Sequence, residues 1–195
     1  MNYKIIDKYL DEQCNCILKI KKNLANEIKL ISETLISAKE TGNKIYLIGN
    51  GGSSSTATHF SSDLLKTSIT KNKTRFKAFS LSDNIPVLLA WANDTSYEDI
   101  FSSQLENLLE KNDILIAISG SGNSPNILKA VNYANSVNAI TIAFTGIGGG
   151  KLAKLARIKL VIPSDDMLTI ETMHLLICHL ITTIFRSEDT PMFSY

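Results

Sequence analysis

The chain has 195 residues, with 20 Lys and Arg against 19 Asp and Glu, a formal charge of +1 and 44% hydrophobic residues. That is enough chain for one well-buried core and little more, and so balanced a charge excludes nucleic-acid or membrane affinity carried by bulk positive potential. No apolar run reaches the roughly 18–20 residues of a spanning helix, the first residues lack a signal-peptide core, and 3 Cys without a CxxC pair exclude a disulfide framework and a thiolate zinc site.

The expectation is therefore a reduced, cytoplasmic protein, associated with neither nucleic acid nor membrane. Along the chain, apolar residues at Ile5, Ile6, Tyr9, Leu10, Ile17, Leu18, Leu24, Ile28, Ile31 and Leu35 recur in steps of three, four and seven. This predicts one or two amphipathic helices over 3–38, broken near Lys19–Lys22. Gly42 and Asn43 end them with residues that tolerate left-handed geometry.

Five strands are predicted next, at 44–48, 76–81, 113–118, 139–144 and 158–162. Helical patterns separate them at 54–67, 84–93 with 97–110, 124–136, 151–156 and 168–186. Strands alternating with helices imply right-handed crossovers and a parallel sheet covered on both faces, a three-layer α/β fold. The division expected is an N-terminal helical segment over 1–40 and an α/β domain over 41–195. The last nine residues read as a tail. Trp91, Phe76, Phe79 and Phe101 read as core.

In such sheets ligands bind beyond the carboxyl ends of the strands. Gly49-Asn50-Gly51-Gly52-Ser53-Ser54-Ser55-Thr56 follows the first strand, Ser119-Gly120-Ser121-Gly122-Asn123-Ser124 the third, and Thr145-Gly146-Ile147-Gly148-Gly149-Gly150 the fourth. Glycines let backbone N–H groups approach an anion, helix N-termini favour negative charge, and serine hydroxyls add donors. Neither GxGxxG nor GxxxxGK[ST] fits. The pattern points to a phosphorylated small molecule.

His59 and Asp63 are four apart on a predicted helix and share one face. The last helix is apolar almost all round, so Glu171, His174 and His179 on it need partners. His174 and His179 are five apart, roughly 140° around the helix, and do not both line one site. Spacing leaves open which does.

GNGGS at 49–53, His59-Phe60-Ser61-Ser62-Asp63, Asn93-Asp94, SGSGNS at 119–124 and the helix with Glu171, His174 and His179 occur in the order seen in the sugar isomerase (SIS) superfamily. Within it the chain resembles the sedoheptulose 7-phosphate isomerases, over about residues 40–186. The resemblance implies a five-stranded parallel sheet, a homotetramer to which the N-terminal helices contribute, and a zinc site at subunit contacts.

It further implies that His59, Asp63, Glu171 and His179 hold Zn2+, with Asp63 the catalytic base and His179 the catalytic acid. Asn50, Gly51, Gly52, Ser53, Asp94, Ser119, Gly120, Ser121, Ser124 and Glu171 would contact the substrate. The family pattern has Glu at Asp63, Gln at Glu171 and a common Thr at Gly120. Two basic positions of the family fall on Thr67 and Ser103, with Lys66 beside the first.

The activity implied is ketose–aldose isomerisation of sedoheptulose 7-phosphate through an enediolate, for lipopolysaccharide or capsule heptose. Two alternatives are a SIS-type scaffold that regulates replication initiation by binding a protein, and an isomerase of another sugar phosphate. The scaffold type lacks the acid and base, whereas Asp63 and His179 are titratable.

Overall fold

The computed structural model describes residues 3–71 and 73–194. Helices α1 (Lys4–Asn23) and α2 (Ala25–Thr41) meet at Leu24, whose ψ of 8° leaves the helical region. The break falls just after the basic stretch, because Lys21 and Lys22 lie in the last turn of α1, where cations favour the helix dipole. Helix α2 stops at Gly42 with φ 77°, a left-handed cap that costs glycine no Cβ clash. Positions 3–12 are exposed throughout. From Cys16 onward, Ile20, Ile28, Ile31 and Leu35 join the main core.

All five predicted strands form, with ends shifted by one or two residues: β1 (Lys44–Gly49), β2 (Lys77–Ser80), β3 (Ile114–Ser119), β4 (Ile140–Thr145) and β5 (Ile158–Val161). They pair parallel in the order β2-β1-β3-β4-β5. The order reverses between β1 and β3, which opens a crevice at their carboxyl ends. The two Ser/Gly loops with the most hydroxyls follow these two strands. Topology thus places them side by side although they lie about seventy residues apart.

Alternate side chains of the strands feed two cores. Ile45, Leu47, Ile114, Ile116, Ile142 and Phe144 pack with α1, α2, α3 (Gly52–Ser62) and α8 (Met167–Ser187). Tyr46, Ile48, Leu115, Ala117 and Ala143 pack with α5 (Ser102–Leu108), α6 (Pro125–Ser136) and α7 (Leu152–Leu155). Helix α4 (Ile85–Asp94) has no buried residue, and its Ile85 and Leu89 are exposed.

Two sequence expectations change here, and the reading of the last residues as a tail is narrowed. Phe79 is 48% exposed because β2 is the edge strand and its outer face lacks a full helical cover; its ring stacks on Tyr46 instead. Phe76 and Phe101 are buried and Trp91 partly so. Helix α8 is long and apolar enough to cross a membrane by length and composition, contrary to the run-length reading. Half of that span is buried within the chain, since Ile170, Met173, Ile177, Ile181 and Phe185 face the core. Finally, the tail docks: Met192 N–H donates to Ile69 O at 2.9 Å and Lys71 N–H to Thr190 O at 3.0 Å.

Candidate active site

Helix α3 starts as soon as β1 ends, and the turn between them is tight. A Cβ on Gly49 would lie 2.5 Å from the Ser53 backbone, so only glycine allows this approach. Gly51 takes φ 52°, and Ser53 and Ser54 N–H return to Asn50 O at 3.0 and 3.3 Å. Across the crevice, Ser119 and Ser124 hydroxyls are 3.4 Å apart, and Ser121 Oγ accepts from Asn123 N–H at 3.2 Å. The third glycine loop braces this one: Gly146 N–H donates to Gly120 O at 2.9 Å, and Leu152 N–H to Gly122 O at 2.9 Å.

Asn50, Ser53, Ser119, Gly120, Ser121, Ser124 and Glu171 line a cavity of about 150 Å³, together with Met167 and Ile118. Hydroxyls, loop N–H groups and the N-termini of α3 and α6 make it a natural oxyanion cradle. Asp94 stands apart, exposed at the end of α4 with its carboxylate taking a hydrogen bond from Asn93 Nδ2 at 2.8 Å.

Two turns further along α3, His59 Nε2 lies 3.0 Å from His179 Nε2 on α8. Asp63 Oδ2 is 3.6 Å from the first and 3.7 Å from the second. The predicted shared face of His59 and Asp63 is therefore real. A one-turn π-helix over Asp63–Thr67 begins at this residue, with Ser68 N–H reaching back to Asp63 O at 2.9 Å. Such widened turns cluster at functional positions, and nothing in the local pattern announces this one.

The three residues form the one metal-ligating group found among the described residues, their ligand atoms all within 4.8 Å. Asp63 is 8% exposed, and its Oδ2 is buried without a hydrogen-bond partner, an arrangement that costs about 1–3 kcal/mol unless a cation satisfies it. The triangle of 3.0, 3.6 and 3.7 Å brackets the edge of about 3.3–3.4 Å that a tetrahedral ion sets between ligands at zinc bond lengths. Two imidazoles and a carboxylate suit a borderline cation with a fourth position open. The residues fit a metal.

Glu171 is not brought into this group. It precedes His179 by eight residues on one helix, an axial rise of about 12 Å. Its carboxylate instead packs on Gly52 in the serine-lined cavity, where any Cβ would collide with it. His174 faces the opposite way, 0% exposed, with Nε2 3.2 Å from Thr145 O. Burial lowers its pKa to about 4, so it is a neutral imidazole donating to that carbonyl. Burial, and secondarily the charge of Asp63, pushes the Cys178 thiol up, which keeps it protonated beside the metal group.

Two residues were missed from sequence. Asn126, 2% exposed, exchanges hydrogen bonds with Asn50, and Tyr97 Oη donates to Asn50 Oδ1 at 2.9 Å. A polar residue at the second position of α6 was a faint signal for Asn126; Tyr97 gave none. Lys66 extends over the Phe193 ring, 4.7 Å from its centroid, and Ser103 is buried.

Anion loops at the switch point of a 2-1-3-4-5 parallel sheet, with a His-Asp-His group on the flanking helix pair, define a SIS domain. The family model for the SIS domain matches residues 8–146. A phosphoheptose isomerase of Aliarcobacter butzleri is 36% identical over 188 residues, 96% of this chain and 98% of that protein. One of Helicobacter pylori is 41% identical over 162 residues, 83% of this chain and 82% of its own. The phosphoheptose isomerase structure from Francisella tularensis superposes with a TM-score of 0.90 at 30% identity, covering 96% of this chain and 99% of that one; that from Neisseria gonorrhoeae gives 0.89 at 27%, covering 96% and 100%. The chain belongs to the phosphoheptose isomerase family of SIS-domain proteins.

Proposed function

We propose that the chain isomerises sedoheptulose 7-phosphate to a heptose 7-phosphate aldose, supplying heptose for a surface polysaccharide. The observation that carries this reading is the pairing of two sites on one pair of helices. The serine-lined cavity lies at Gly52 and Glu171, and the His59, Asp63 and His179 group lies two turns along, roughly 10 Å by the helical rise. Such a spacing suits a substrate whose phosphate and reacting carbons are at opposite ends of a seven-carbon chain.

In this reading the loop N–H groups and the hydroxyls of Ser53, Ser119, Ser121 and Ser124 hold the phosphate, with Gly51, Gly52 and Gly120 admitting it to the backbone. Asn50 and Glu171 meet sugar oxygens, as does Asp94, brought in at a subunit contact of the expected homotetramer. Asp63 takes the proton from the carbon beside the carbonyl, and His179 exchanges a proton with the oxygens of the enediolate. His59, Asp63 and His179 would hold a zinc ion, with Glu171 from another copy the further ligand in the expected homotetramer. When bound, the ion supplies polarisation of the carbonyl and stabilisation of the oxyanion. The exposed first half of α1 and the open face of α4 leave apolar surface suited to such an assembly.

Retention of titratable Asp63 and His179 separates this reading from a binding scaffold without chemistry. The test is incubation with sedoheptulose 7-phosphate, with and without chelator, following the aldose by NMR. Conversion abolished by chelator and restored by zinc is expected. A zinc-loaded protein that leaves the ketose unchanged would falsify the reading.

A further inference from the structure

The hydrogen bonds around Asn50 can be followed from an unambiguous donor. Ile127 backbone N–H donates to Asn126 Oδ1 at 2.9 Å, so that atom is oxygen and its partner Nδ2 is the donor. Asn126 Nδ2 donates to Asn50 Oδ1 at 2.9 Å, and Asn50 Nδ2 returns a bond to Asn126 Oδ1 at 3.0 Å. Asn50 Oδ1 has two lone pairs, and the second is taken by Tyr97 Oη at 2.9 Å.

What remains on the Asn50 amide is one N–H. It has no partner among the described residues, and Asn50 lines both the serine cavity and a neighbouring cavity of about 290 Å³ that also holds Tyr97. An amide free to turn would offer either an oxygen or a nitrogen to a ligand. Here the backbone of α6, acting through Asn126, settles the choice.

We infer that Asn126 is a positioning residue which, with Tyr97, holds the Asn50 amide so that it presents a single N–H donor to a substrate oxygen. Asn50 thereby selects an acceptor, a carbonyl or phosphate oxygen, and rejects a donor at the same point. This rests on the sugar-phosphate reading above. Because Asn126 is buried 98% of the way and touches the substrate only through Asn50, its effect falls on binding that ground state and transition state share, hence on KM rather than kcat.

A double-mutant cycle tests it. KM and kcat for sedoheptulose 7-phosphate, and its Kd by calorimetry, are measured for Asn50→Ala, Asn126→Ala and the double variant. Asn126→Ala is expected to raise KM and Kd about tenfold with kcat within about threefold, and to add nothing in the Asn50→Ala background, as coupling of about 1.4 kcal/mol requires. Equal penalties in both backgrounds would overturn the inference, since a merely structural role adds. Exposed Tyr97→Phe, which frees one lone pair of Asn50 without touching the core, is expected to raise Kd about threefold; no change in Kd for it, should Asn126→Ala fail to fold, overturns the inference as well. Binding without turnover by the wild type defeats the isomerase reading alone, while absence of binding defeats both.

Discussion

His59 Nε2 and His179 Nε2 face each other at 3.0 Å across the contact of α3 with α8, although 120 residues separate them in the chain. Two imidazole nitrogens this close, with Asp63 Oδ2 3.6 and 3.7 Å away, converge on one point. Carboxylate and imidazoles are too far apart there for good hydrogen bonds, and the triangle is the size a tetrahedral cation sets.

Removing either imidazole should therefore remove the metal. His59→Ala and His179→Ala are each expected to drop bound zinc from about one per chain to a tenth of that or less, since each chain brings only three ligands together. Elemental analysis after dialysis measures it. Glu171→Gln, altering a residue outside the group within the chain, is expected to retain at least half of the zinc.

Asp63→Asn keeps the shape of the side chain and removes its ability to accept a proton. With zinc held saturating, the expected result is a kcat lower by about 10²–10⁴-fold, the range typical of a lost general base, with the fold unchanged by circular dichroism. Activity within tenfold of the wild type would assign the base elsewhere.

The turn from β1 into α3 discriminates between two glycines. A Cβ at Gly49 meets Ser53 backbone at 2.5 Å, which cannot yield, so Gly49→Ala is expected to cost about 2 kcal/mol or more in urea unfolding. At Gly52 the obstacle is the flexible end of Glu171. Gly52→Ala should cost about 1 kcal/mol or less but displace that carboxylate and raise KM.

His174 makes stability depend on pH. Its folded pKa is lowered to about 4 from 6.5, chiefly by burial. The unfolded chain binds the proton first, so the contribution is fully present above pH 6.5 and is lost as pH falls toward 4, at most about 3 kcal/mol. Urea midpoints at pH 7 and pH 4.5 report it. His174→Asn, which keeps a donor for Thr145 O without a titrating ring, is expected to be less stable at pH 7 and to show a shallower decline.

The strands and their helices were legible because each reports its own neighbours. Runs such as Ile114 to Ile118 read as buried strand from period and composition, and Gly42 marked a helix end that the φ of 77° explains. His59 and Asp63 were legible as a pair because an i,i+4 spacing is local. Glu171 was not placed by spacing: the resemblance put it with the metal ligands, and the rise of the helix separates it from His179 within the chain. Phe79 was read as core because its hydrophobicity says nothing of which strand lies at the edge.

Length, balanced charge and the order of elements thus determined, from the sequence by itself, an α/β sheet with serine and glycine loops beyond its strands. A net charge of +1 set no bar to an anionic substrate, because local N–H groups, hydroxyls and helix ends hold a phosphate. Which loops face one another and which amide orients Asn50 were decided by the tertiary structure alone, while His179, picked over His174 only by the family resemblance, is brought to His59 by packing. Secondary structure follows from sterics between near neighbours. Those juxtapositions come from packing two helices on one sheet face, the sum of many weak contacts between residues far apart in the chain.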